Sequence, residues 1–116
     1  MGSLLRATFL VVALSIGAAS FPADATLPAA VRNDTAYMSW LSSLTEQVSQ
    51  DPHYRRIPLD SESRTEEFTA VLHEVFRGRM TDAEFTDWIA DRYPGHGYET
   101  ATILRILHVH WKLQGR

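Results

Sequence analysis

The sequence predicts an all-α protein: a small bundle of about four helices behind a cleaved N-terminal signal peptide. Three observations carry that prediction. Apolar residues recur at i, i+3, i+4 and i+7 through most of the chain. Helix start and stop signals bound those stripes, with Pro or Gly between one stripe and the next. Ahead of them, Met1 to Arg6 carries one Arg, residues 7–19 form an unbroken apolar run, and Ser20, Phe21 and Pro22 lead into Ala23, Asp24 and Ala25. That is the order of a secretory signal: charged start, apolar core, helix breaker and small residues at a cleavage site. Cleavage is expected after Ala25, with Ser20 as the second choice. The run is shorter than the ~20 residues that span a bilayer, so no membrane span is expected after removal.

The chain has 116 residues, 45% hydrophobic and 22% charged, with a formal net charge of -3. Residues 26–116 therefore read as one small domain, able to bury about 60–65% of its unfolded surface around a single modest core. There is no cysteine, which removes a disulfide framework, a thiol nucleophile and a lipoprotein anchor. Small proteins secreted by animal cells commonly lean on disulfides, so this absence favours a bacterial periplasmic or secreted protein held by packing alone. Asn33, Asp34 and Thr35 fit the N-glycosylation pattern, which would suit a secreted effector of a eukaryotic microbe, but so short a pattern arises often by chance.

Taken in order, residues 26–32 contain Pro28 and no period, and read as a loose N-terminus. Asn33 or Asp34 caps a first helix to about Gln50, its face made by Tyr37, Leu41, Leu44 and Val48 and flanked by Met38 and Trp40. Asp51 and Pro52 end it, because a residue before proline is pushed out of helical geometry. Residues 51–60 form a linker with His53, Tyr54, Arg55 and Arg56, the one dense basic-aromatic cluster in an acidic chain.

Ser63 and Glu66 form an expected capping box for a second helix with the stripe Phe68, Val71, Leu72, Val75 and Phe76. Gly78 stops it. Thr81 and Glu84 form another capping box, with Met80 and Phe85 placed as a hydrophobic staple, and Phe85, Trp88, Ile89 and Tyr93 give the third helix its core face. Pro94, Gly95, His96 and Gly97 make a turn. A last helix from about Glu99 or Thr100 to Leu113 is apolar around more than half its circumference, which predicts a central position with several neighbours. A strand is the lesser reading of that segment, since apolar and polar residues do not alternate.

Motifs that carry chemistry are missing. The sequence has no P-loop, no nucleophile elbow and no Ca-binding loop. His73 and Glu74 begin like a zincin helix, but Arg77 stands where the second ligand belongs, and a cation there repels a metal. His108 and His110 point about 200° apart on a helix and cannot share an ion. His110 reads as a hydrogen-bonded core residue and His73 as a solvated one. Two glycines strip His96 of neighbours and place it on a protruding turn beside Tyr98, where functional groups concentrate. Glu84, Asp87 and Asp91 recur at i, i+3 and i+7, a row of carboxylates along the third helix.

Three functional readings follow. The first is a binding protein of inhibitor or immunity type that occludes a toxic or hydrolytic partner enzyme, with Glu84, Asp87 and Asp91 facing a basic cleft and His96, Tyr98, Tyr54, Arg55 and Arg56 as further contacts. The second is a periplasmic Zn, Cu or Ni protein using the five scattered histidines. The third is an enzyme with His96 as base and a carboxylate beside it. The first leads, because no catalytic groups converge; neither cofactor nor resident metal is expected. An acidic chain with one small basic cluster offers phosphate little attraction, which argues against nucleic acid.

Overall fold

Five helices, and no strand, make up the described part of the chain, so the protein is all-α as its periodicity predicts. The computed structural model describes residues 27–115; the expected signal peptide lies outside them. The chain divides after Pro52, and the two units are taken in turn.

The first unit corrects the expected loose N-terminus. Residues Ala29–Arg32 form a one-turn helix, α1, with Leu27 and Val31 buried and Arg32 Nε donating to the Leu27 carbonyl at 2.9 Å. Pro28 sits just ahead of it, where a missing N–H costs nothing. The next helix, α2 (Thr35–Ser49), is capped by Asp34, whose carboxylate accepts from the Tyr37 N–H at 3.1 Å. Its buried residues are Tyr37, Trp40 and Leu44, while Leu41 and Val48 are only half-buried. The face thus centres nearer Trp40 than the apolar spacing alone suggested, and the Tyr37 and Trp40 rings lie 6.2 Å apart.

In the second unit, α3 spans Glu62–Phe76. Its cap is Ser61, not Ser63: the Ser61 hydroxyl accepts from the Arg64 N–H at 3.1 Å, and Glu66 lies buried inside the helix. Two serines compete for the same role, and the earlier one holds the extended backbone that a cap requires. Phe68, Leu72, Val75 and Phe76 are buried as the stripe predicts. His73 is buried too, at 3% exposure, which overturns its reading as a solvated residue. The helix ends in a Schellman turn. The Arg79 N–H donates to the Glu74 carbonyl at 2.8 Å and the Gly78 N–H to Val75 at 3.0 Å, with Gly78 at φ 77° supplying the left-handed residue.

The following helix, α4 (Asp82–Arg92), starts from the expected capping box: the Thr81 hydroxyl accepts from the Glu84 N–H at 3.1 Å and Glu84 Oε1 accepts from the Thr81 N–H at 2.8 Å. Phe85, Ile89 and Tyr93 are buried. The Phe68 ring meets Phe85 at 6.1 Å and Trp88 at 6.2 Å, joining α3 to α4.

The last helix, α5, spans Gly97–Leu113, beginning before the expected start. It buries one face, made by Glu99, Thr100, Thr102, Ile103, Ile106 and Leu107. Val109 is 52% exposed and Leu113 79%, so the helix is not covered all round. Apolar composition overstated the width of the covered stripe and with it the central position: Thr102, Ile103, Ile106 and Leu107 are buried as expected, but the buried face begins with the polar Glu99 and Thr100, which anchor the turn before it. Trp111 Nε1 donates to the Phe76 carbonyl at 3.2 Å and ties the far end of α5 to α3. No helix among the described residues is long and apolar enough to cross a membrane.

Candidate functional site

The linker after Pro52 is held against the turn between α4 and α5 by one carboxylate. Glu99, in the first turn of α5, has a side chain only 1% exposed. Its Oε2 accepts from the Arg55 backbone N–H at 2.9 Å, and its Oε1 lies 3.0 Å from His96 Nδ1. The Arg55 guanidinium in turn donates to the Gly95 carbonyl. Gly95 has φ 88°, a left-handed conformation that glycine adopts without strain. This clasp fixes linker, turn and helix start by hydrogen bonds to a single buried group.

The electrostatics follow from that geometry. Burial pushes the Glu99 carboxyl up, but hydrogen bonds from the Arg55 N–H, from its own backbone N–H and from His96 outweigh it, leaving the group below its ordinary value. Tyr54 sits beside this charge. Burial first, and the Glu99 carboxylate second, raise its hydroxyl well above the ordinary tyrosine range.

Four of the residues expected to make contacts therefore come together: Tyr54, Arg55, His96 and Tyr98. Tyr98 is 48% exposed, with the His53 ring edge-on at 6.4 Å. Arg56 is exposed on the same short linker. His96 differs from its expected setting. It is not stripped of neighbours on a protruding turn, because Glu99 reaches back one helical turn and holds its ring, which is 11% exposed. Glu99 itself was missed in the sequence, although its place three residues after the cap residue, where a capping glutamate stands, was a usable signal.

The carboxylates Glu84, Asp87 and Asp91 are exposed along α4, away from its buried residues Phe85 and Ile89. Glu84 also serves the capping box. On another side of α4, Arg92 pairs with Glu67 at 2.6 Å and lies over the Trp88 ring at 5.0 Å, so the row keeps its single sign.

The remaining histidines are dispersed. His73 Nδ1 lies 3.3 Å from Arg79 Nη2, and Arg79 pairs with Glu74 at 2.9 Å. His108 pairs with Asp82 at 2.7 Å and stacks on Trp111 at 5.4 Å. His110 is half-buried and stacks on Phe76 at 5.4 Å. Among the described residues, no group of three or more His, Asp or Glu is placed to hold a metal ion. No protein-family model, no curated protein and no solved structure matches this chain.

Proposed function

We propose that the chain is an exported binding protein that occludes a hydrolytic or toxic partner enzyme, acting as an inhibitor or immunity-type protein. The observation that carries this reading is the clasped surface. The Arg55 N–H and His96 converge on Glu99, and beside them the exposed Tyr98 with the His53 ring edge-on, and Arg56 exposed on the linker, offer aromatic and cationic contacts. Aromatic and Arg side chains held in place lose little entropy on docking, which is why they dominate interface energies. The row of Asp87 and Asp91 supplies the charge that would steer a partner with a basic cleft.

Affinity capture with the chain lacking residues 1–25 tests the reading, followed by charge reversal at Asp87 and Asp91. Glu84→Gln is the proper companion change, since glutamine can still accept from the Thr81 N–H while removing the charge. A captured hydrolase whose activity falls as it is titrated is the expected result. Capture of nothing, or binding indifferent to those changes, contradicts it.

A further inference from the structure

Arg55 and Arg56 are neighbours in sequence, but the fold gives them opposite tasks. The Arg55 guanidinium donates to the Gly95 carbonyl, and its backbone N–H donates to Glu99 Oε2 at 2.9 Å. Arg56 is exposed, and among the described residues no hydrogen bond or ion pair takes its guanidinium. On its other side Ile57 is buried, at 4% exposure. The Ile57 carbonyl accepts from the Leu59 N–H at 2.8 Å, which closes a three-residue γ-turn on Pro58. Proline suits the centre of that turn because its ring fixes φ and it has no N–H to satisfy. Residues 54–60 belong to no helix. Arg56 is thus displayed on a short irregular segment that is anchored immediately before and immediately after it.

We infer that Arg56 is the specificity residue of an inhibitory loop and enters the carboxylate-based pocket of an arginine-specific serine protease. This names the class of enzyme that is occluded, and so it rests on the occluding function proposed above. A protease of that class selects its ligand by one cationic side chain, which meets a carboxylate at the base of a pocket. Two features suit the segment to inhibition. A mobile loop loses conformational freedom when it docks, whereas this one is already held by Glu99 and by the γ-turn. Hydrolysis of the Arg56–Ile57 peptide bond would add water across it, yet Arg55 would stay bonded to Glu99 and Gly95 and Ile57 would stay buried. Neither new end is then released. A surface for phosphate groups would instead use several cations together, and the fold withholds Arg55 from that task.

Trypsin is the probe, assayed on a small arginine amide in the presence of the full chain or its variants. The expected result is competitive inhibition by the parent, weakened about 100-fold or more in Arg56→Ala. Arg56→Leu is expected to inhibit chymotrypsin in place of trypsin, because the chymotrypsin pocket is apolar. Mass spectrometry of the same mixtures reads the Arg56–Ile57 bond. It is expected to stay intact or to be cut slowly in the parent, and to be cut roughly tenfold faster in Glu99→Gln, whose loosened clasp opens more often. Absence of inhibition, inhibition that survives Arg56→Ala, or rapid cleavage after Arg56 in the parent overturns the inference. So does equal cutting of the parent and a folded Glu99→Gln. Arg56 is exposed and holds nothing in place, so its variants carry the test even where the Glu99 variant does not fold. A captured hydrolase that parent and Arg56→Ala inhibit equally would overturn the loop and leave the occluding function standing.

Discussion

His96 Nδ1 stands 3.0 Å from Glu99 Oε1, one helical turn further along the chain, and that pair sits where linker, turn and helix meet. The linker's attachment to the turn depends on it. Replacing Glu99 by Leu removes the charged acceptor of the Arg55 N–H, a hydrogen bond worth about 1.5–3 kcal/mol. Urea unfolding measures the loss, and an unchanged midpoint would remove Glu99 as the organising group.

Glu99 also sets a pH dependence. Its folded-state pKa lies below the ordinary 4.5, so its contribution to stability is present above that value and is lost as pH falls through the lowered one. Unfolding free energy is expected to decline below pH 4.5 in the parent protein and to lose this component in Glu99→Leu. Parallel pH profiles for the two proteins would contradict the assignment.

Tyr54 acts at the other end of the scale. Burial and the Glu99 charge raise its folded-state pKa, so its stabilisation is complete below the ordinary value of 10.0 and is lost as pH rises through the raised one. Tyr54→Phe removes the ionisable group. The variant is expected to resist alkaline unfolding better than the parent, as read by far-ultraviolet circular dichroism.

Thr81→Ala tests the α4 start. Losing the hydroxyl that accepts from the Glu84 N–H is expected to destabilise by about 1 kcal/mol. Asp87→Lys, on the exposed row, is expected to stay within about 0.5 kcal/mol of the parent. A large loss from Asp87→Lys would mean that the row serves the fold instead of a partner.

Gly95→Ala separates strain from space. The added Cβ would meet Arg55 Nη2 at an ordinary 3.9 Å, so the cost is that of forcing φ 88° on a residue with a side chain, about 1–2 kcal/mol. Thermal unfolding measures it, and an unshifted transition would show that the turn relaxes freely.

The four longer helices, their order and the α4 capping box were legible in the sequence because they depend on local signals: Pro52, Gly78, Pro94 and the Thr81 and Glu84 pair; the one-turn α1 was not. Which of Ser61 or Ser63 caps α3 was not, since both have the right chemistry and only the backbone at Ser61 has the right shape. His73 was misread because a wheel shows the apolar face but not how far neighbouring helices extend over its edge. The clasp was half legible. His96, Tyr54 and Arg55 stood out by composition and turn chemistry, but Arg55 and Glu99 meet across 44 residues of sequence, and no local pattern encodes that contact.

The most direct test of the occluding function is a titration of the captured hydrolase with three proteins: the parent, Tyr98→Ala, and Asp87→Lys combined with Asp91→Lys. The proposed function predicts inhibition that saturates at an equimolar ratio for the parent. Tyr98→Ala is expected to lose about 2 kcal/mol of binding, roughly thirtyfold in Kd, and the double reversal to slow association most at low salt. Equal inhibition by all three, or a captured protein whose activity never falls, would contradict it.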